Sequence, residues 1–228
     1  MRARSIVILA GVWSVSLAGQ TPPAANDWLI VPGVRVGPIT AASVPEDVRR
    51  LFPTDAVEEE EIELDEGMLV PAMLVFKKTP SEALAISWNG KGPQAHPKQI
   101  YICFGRRRGP CRWQTSGGIK VGTRLSELTV MNGKPFTVSG FGWNYGGNVL
   151  SWEGGALAKL DCGGRLVLTL DGERVRAGEY AVKLTAQEVR SFSGDRPIAT
   201  SNAALEKLDP RVVDLLYQFA GPDSKRCE

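Results

Sequence analysis

The stretch from Gly118 to Gly155 constrains the fold more than any other part of the chain. Glycines and turn residues cut it into pieces that fit only short strands and one short helix. Gly118-Ile-Lys-Val-Gly122 alternates aliphatic and basic residues, as a strand with one wet face does. Thr123 stands at an N-cap position, and Leu125, Leu128 and Met131 or Asn132 trace a buried helical face. Asn132-Gly133 then supplies a left-handed stop. Phe136 to Phe141 and Asn148 to Trp152 read as a strand pair around the loop Gly142-Trp-Asn-Tyr-Gly-Gly147. Ala156 to Leu160 and Arg165 to Leu170 read as a second hairpin across Cys162-Gly163-Gly164.

The upstream chain uses the same vocabulary. Trp28–Val31 and Val34–Val36 are short strands, and Ser43-Val-Pro-Glu46 is a capping box opening a helix that Pro53 ends. The acidic run alternates into a strand with Ile62 and Leu64 inward. Met68–Phe76, Ala83–Trp88 and Gln99–Phe104 read as further strands, with a loop over 89–98 and Arg112-Trp113-Gln114 pairing back. Towards the end, Glu179–Leu184 and Val212–Phe219 read as strands and Asn202–Leu208 as a helix stopped by Asp209-Pro210.

Two short anchors recur in the same order. Gly33-Val-Arg-Val-Gly37 matches Gly118-Ile-Lys-Val-Gly122, and Ala85-Ile-Ser-Trp-Asn-Gly90 matches Val149-Leu-Ser-Trp-Glu-Gly154. The pattern predicts an α+β fold: an antiparallel sheet with short helices on one face, built from two tandem strand–helix–sheet repeats. The expected organisation is a signal peptide over 1–18, a flexible leader over 19–27, a first repeat over 28–114, a second over 115–172, and a C-terminal extension over 173–228 that packs on the sheet.

The Gly-aliphatic-Lys-Val-Gly-Thr pattern with Leu128 five residues beyond Thr123 resembles the helix entry of small secreted bacterial modules, namely the β-lactamase inhibitor protein and the outer-membrane assembly lipoprotein of the SmpA/OmlA type. The resemblance covers about a dozen residues per copy. It implies helices packed on an antiparallel sheet and a role in protein binding rather than catalysis. This chain departs from it in showing one evident helix per copy and extra strands. The run Gly140-Phe-Gly-Trp-Asn-Tyr-Gly-Gly147 resembles a signature of uncharacterised secreted bacterial proteins.

The N-terminus has the form of a secretory signal. Arg2 and Arg4 precede an apolar run from Ile6 to Leu17, and Ser16 and Ala18 place small residues before a cleavage site. A lipobox would need Cys where Gln20 stands, so no lipid anchor is expected, and the mature chain would be periplasmic or secreted. Losing the two leader arginines takes the net charge from +2 to zero, which argues against nucleic acid as a partner. Charge is nevertheless segregated. Asp55–Glu66 holds eight acids and no bases; Lys91–Arg124 holds eight bases and no acids. Arg106, Arg107, Arg108 and Arg112 form a candidate anion-binding face.

An oxidising compartment permits disulfides, and Cys103 and Cys111 flank a turn that would bring them together. Cys162 lies in an Asp-Cys-Gly-Gly turn and Cys227 next to the end, and nothing in the sequence indicates whether these two pair. No CxxC occurs and His96 is the sole histidine, so no zinc site is expected. Neither a nucleophile elbow, a P-loop, an EF-hand nor a dinucleotide fingerprint is present, and no cofactor is implied. Glu153 and Asp161 are the nearest candidates for carboxylate-pair glycoside hydrolysis. The best binding candidates are Trp143, Asn144 and Tyr145, aromatic and amide groups on a glycine-rich loop. The sequence thus favours a non-catalytic module that binds another extracytoplasmic protein or a cell-envelope glycan, with an envelope carbohydrate hydrolase as the alternative.

Overall fold

The computed structural model describes residues 27–64, 67–105, 109–172 and 182–220. The signal-peptide stretch, most of the leader, Arg106–Arg108 and Cys227 lie outside the described residues. So does the first half of the strand expected over Glu179–Leu184, of which only the last three residues are described.

The largest element is a six-stranded antiparallel sheet. Its strands in chain order are β4 (Val57–Glu63), β5 (Leu69–Val75), β6 (Leu84–Asn89), β7 (His96–Ile102), β11 (Gly164–Leu170) and β13 (Val212–Phe219), arranged spatially as β11-β13-β7-β6-β5-β4. A small four-stranded sheet joins β1 (Leu29–Val31), β2 (Arg35–Val36), β3 (Ile39–Thr40) and β8 (Gln114–Thr115). A three-stranded sheet joins β9 (Thr137–Ser139), β10 (Val149–Ser151) and β12 (Pro197–Ala199). Among the described residues, four short helices accompany them: α1 (Pro45–Leu51), α2 (Leu125–Asn132), α3 (Ala186–Phe192) and α4 (Ala203–Leu208). The fold is α+β, as the alternation and turn pattern predict.

Period-two alternation divides the six-stranded sheet into two faces. Leu168, Leu215, Ile102, Leu84, Val75 and Val57 are paired strand to strand across the whole sheet; the first five belong to the main core and the half-buried Val57 packs against it. Val48 of α1, Leu125 and Leu128 of α2, Phe192 of α3 and Leu205 and Leu208 of α4 join that same core. The opposite face carries only a small cluster of Ile62, Ala72, Leu74 and Ala85, with no helical residue in it among the described residues. The helices therefore cover one face. The outermost strand, β4, exposes Glu59, Glu60 and Glu61, charges that discourage pairing with a foreign strand.

Several local expectations are displaced by one residue or redirected. The first helix is capped one position later than Ser43: the Asp47 carboxylate accepts from the Val44 N–H at 2.9 Å, while Ser43 Oγ accepts from Thr40 N–H. Thr123 likewise accepts from Lys120 N–H, and α2 begins after Arg124, whose N–H donates to Glu127 Oε2 at 2.6 Å. A second cap comes from far away in sequence: Asp209, in a left-handed conformation, accepts from Ser126 N–H at 2.9 Å. Residues 156–161 form a 3-10 turn instead of a strand, so β11 pairs with β13. Gln114–Thr115 pairs in parallel with β1, not back onto β7, because Trp113 is fully buried beside Trp28 and donates to the Glu82 carbonyl at 2.9 Å. His96 opens β7 rather than lying in a loop.

The two glycine-bracketed anchors share local geometry. Gly33, Gly37, Gly118 and Gly122 all have positive φ. Their downstream strands enter different sheets: Ala85–Asn89 falls in β6 of the six-stranded sheet, and Val149–Ser151 is β10 of the three-stranded one. The chain beyond residue 182 supplies β12 as an edge of the three-stranded sheet and β13 as an interior strand of the six-stranded sheet.

Candidate functional site

The loop between β9 and β10 is built by backbone packing. A Cβ on Gly140 would collide with the Gly194 carbonyl, and one on Gly147, whose φ is +85°, with the Leu170 carbonyl. Only glycine allows the loop to sit this close to its neighbours. Gly147 O then accepts from Leu170 N–H at 2.9 Å, and Asn148 bridges to Thr169, whose hydroxyl donates to Asn148 Oδ1 at 2.6 Å. The loop is thereby fastened to the β11 edge of the six-stranded sheet.

Within the loop, Trp143 is half-buried and its indole N–H donates to Gly140 O at 2.7 Å. Tyr145 packs edge-on against it with ring centroids 5.4 Å apart and remains 36% exposed; Asn144 at the tip is exposed. The Tyr145 carbonyl accepts from Ser139 Oγ at 2.6 Å. The indole is thus a fixed support, and Tyr145 and Asn144 are the groups presented to solvent.

These two residues form one rim of an open groove of about 2040 Å³. The groove runs over the face of the six-stranded sheet that the described helices do not cover, with Pro45 and Arg49 of α1 also in its lining. Val167 and Arg165 of β11, Leu216 and Gln218 of β13, Tyr101 and Gln99 of β7 and Ser87 of β6 line it. Register places them in two adjacent cross-strand rows. One runs Val167, Leu216, Tyr101, Ala85, Leu74; the other runs Arg165, Gln218, Gln99, Ser87, Ala72. Of the sequence-derived site residues, Asn144 and Tyr145 reach this groove. The two rows were missed, although the signal was present: Arg-Leu-Val-Leu-Thr-Leu over 165–170 and Asp214, Leu216, Gln218 alternate with the core residues. Continuing that alternation names the outer face; the pairing of β13 with β7 and β11 is what assembles it.

The other candidates lie elsewhere. Arg106, Arg107 and Arg108 are outside the described residues. Arg112 is engaged, in an ion pair with Glu82 at 2.5 Å and over the Trp28 ring at 4.3 Å. The Cys103–Cys111 disulfide is present, with Cα atoms 5.9 Å apart, and Cys162 is also disulfide-bonded. Glu153 has a left-handed backbone, and its carboxylate accepts from Thr137 Oγ1 at 2.8 Å, which with Ser151 lowers its pKa. Asp161 is pushed up by partial burial and drawn back by Arg165 at 3.8 Å. Neither carboxylate lines the groove. His96 is exposed, with Nδ1 3.3 Å from the Ser43 carbonyl. Among the described residues no group of three or more His, Cys, Asp or Glu is placed to hold a metal ion, and no helix is long and apolar enough to cross a membrane. No family model, curated protein or solved structure matches this chain.

Proposed function

We propose that this chain is a non-catalytic binding module of an extracytoplasmic compartment, secreted or periplasmic, which holds its partner in the groove on the helix-free sheet face. The observation that carries this reading is the composition of the groove: Tyr145 and Asn144 stand at its rim, and both candidate hydrolytic carboxylates, Glu153 and Asp161, lie off it. A glycosidase needs its acid and its second carboxylate on opposite sides of one bound bond. The depressed pKa of Glu153 also suits a charged, hydrogen-bonded surface group better than a proton donor.

The disulfide supports an oxidising compartment, as does the signal-like N-terminal sequence. The recurring glycine-bracketed sequence anchors and the resemblance to the inhibitor and assembly-lipoprotein modules favour the same reading, recognition of an extracytoplasmic protein or a cell-envelope glycan. The test is co-sedimentation of the purified protein with isolated bacterial cell envelopes. The expected result is retention that weakens several-fold in a Tyr145→Ala, Asn144→Ala double variant, with no soluble sugar released. Release of soluble fragments that stops in Glu153→Gln or Asp161→Asn would replace this reading with the hydrolase.

A further inference from the structure

The row Arg165, Gln218, Gln99, Ser87 narrows the partner. Charge is confined to its ends. At β11 the Arg165 guanidinium donates to the Val149 carbonyl at 3.0 Å and faces Asp161. On β4, Glu60, paired with Ala72 beyond Ser87, is ion-paired by Lys77. The residues of the row between them are uncharged; the other charges lining the groove, among them Asp214 in the row beyond Leu216 and Lys91 and Lys98, lie outside it. A charged ligand laid along the amide row would lose hydration without a counter-charge within the row, whereas a neutral polar one would not.

The middle of the row is hydrogen-bonding capacity that the fold leaves unused. Gln99 Oε1 accepts the Tyr101 hydroxyl at 3.2 Å, which leaves the Gln99 NH2 to donate. The Gln218 side chain has no hydrogen bond among the described residues. Ser87, 7% exposed and lining the groove, has a buried hydroxyl with no partner among them. Native structures rarely leave a buried hydroxyl unpaired, and a ligand that completes it recovers the cost. Side-chain amides and hydroxyls both donate and accept, the pattern that matches sugar hydroxyls. The adjacent row of Val167, Leu216 and Tyr101, with Tyr145 at the rim, offers apolar and aromatic surface to the C–H faces of sugar rings. The centre of a protein interface would instead be predominantly apolar.

We propose that the groove binds a neutral, unbranched glycan chain lying across the strands, its hydroxyls on Gln218, Gln99 and Ser87 and its ring faces on Leu216, Tyr101 and Tyr145. Six strands at roughly 4.8 Å spacing give a floor about 24 Å wide, room for several sugar units. This assignment rests on the binding-module reading. Calorimetric titration of the purified protein with a panel of neutral β-linked hexasaccharides tests it, using the matching disaccharides, an anionic polyuronate and an unrelated peptide as comparators. A neutral hexasaccharide should bind, its disaccharide should bind much more weakly, and Gln99→Leu and Gln218→Leu should each lower affinity about tenfold at an unchanged melting temperature. Unaltered affinity in both well-folded variants overturns the proposal. So does preference for the polyuronate, with binding that falls steeply with salt, or for the peptide. Failure of every hexasaccharide, with Tyr145-dependent envelope retention intact, overturns the glycan assignment and leaves the binding-module reading standing. Loss of both overturns the two together.

Discussion

Leu168 and Val167 are neighbours on β11, yet they belong to different parts of the molecule. Leu168 is fully buried in a row of aliphatic residues that crosses all six strands beneath the helices. Val167 is half-buried on the helix-free face, in a row flanked by amides and open to the groove. One face contributes stability and the other contributes surface chemistry, and because period-two alternation interleaves them, single substitutions can separate the two. The largest expected effect is therefore on the covered face. Leu168→Ala should cost about 2–5 kcal/mol in urea denaturation, the range for large-to-small changes in a packed core. Val167→Ala should cost about 1 kcal/mol or less, since half of its surface is already wet. Equal costs would mean that the helix-free face is as closely packed as the other, and the groove would lose its status as a free surface.

Much of this division was legible in the chain. The alternation of Leu166, Leu168 and Leu170 with Arg165, Val167 and Thr169 identifies the wet side of β11 without coordinates. The Asn132-Gly133 stop and the Asn202-capped helix also follow from local chemistry: Gly133 is left-handed with φ of +77°, and Asn202 Oδ1 accepts from Ala204 and Leu205 N–H. What was not legible is non-local. Local sequence offers Ala156–Leu160 as the strand partner of Arg165–Leu170, but β13, more than forty residues on, takes that place and buries Tyr217 against Gly164. The α2 cap depends in the same way on Asp209, which no window around Thr123 contains. The candidate site shows the same limit. Its rim at Asn144 and Tyr145 is a local loop and was found, while its floor is drawn from the strands of the six-stranded sheet, whose order only long-range pairing decides.

The two faces meet at Gly147, and a substitution there sharpens the comparison from the middle. Its carbonyl holds the Leu170 N–H of a core strand, and its loop carries Tyr145 at the groove rim. Gly147→Ala combines a positive φ with a backbone collision and should cost about 1–3 kcal/mol. The disturbance should appear on the groove side first. Trp143 fluorescence should shift red as the indole leaves Gly140 O, and envelope retention should fall at temperatures where the fold persists. Loss of stability with an unmoved Trp143 spectrum would show that the rim is held by its own hydrogen bonds rather than by its attachment to β11.

The smallest effect concerns charge at the end of the groove row, where Asp161 stands beside Arg165. Partial burial raises the Asp161 pKa and outweighs the pull of Arg165. A carboxylate with a raised folded pKa penalises folding while it is ionised, and the penalty disappears as pH falls through that raised value towards the ordinary 3.8 of the unfolded chain. Asp161→Asn should therefore be slightly more stable than the parent at pH 7, and the advantage should shrink on acidification and vanish below about pH 3. The lost ion pair does not reverse the sign, because an exposed pair 3.8 Å apart contributes little and Arg165 keeps its bond to the Val149 carbonyl. Melting temperatures of the two proteins across that range decide the matter. A variant less stable at neutral pH would make Arg165–Asp161 a true structural link across the groove end, and the Arg165 end of the amide row would then be fixed by a charge pair rather than by the β10 backbone.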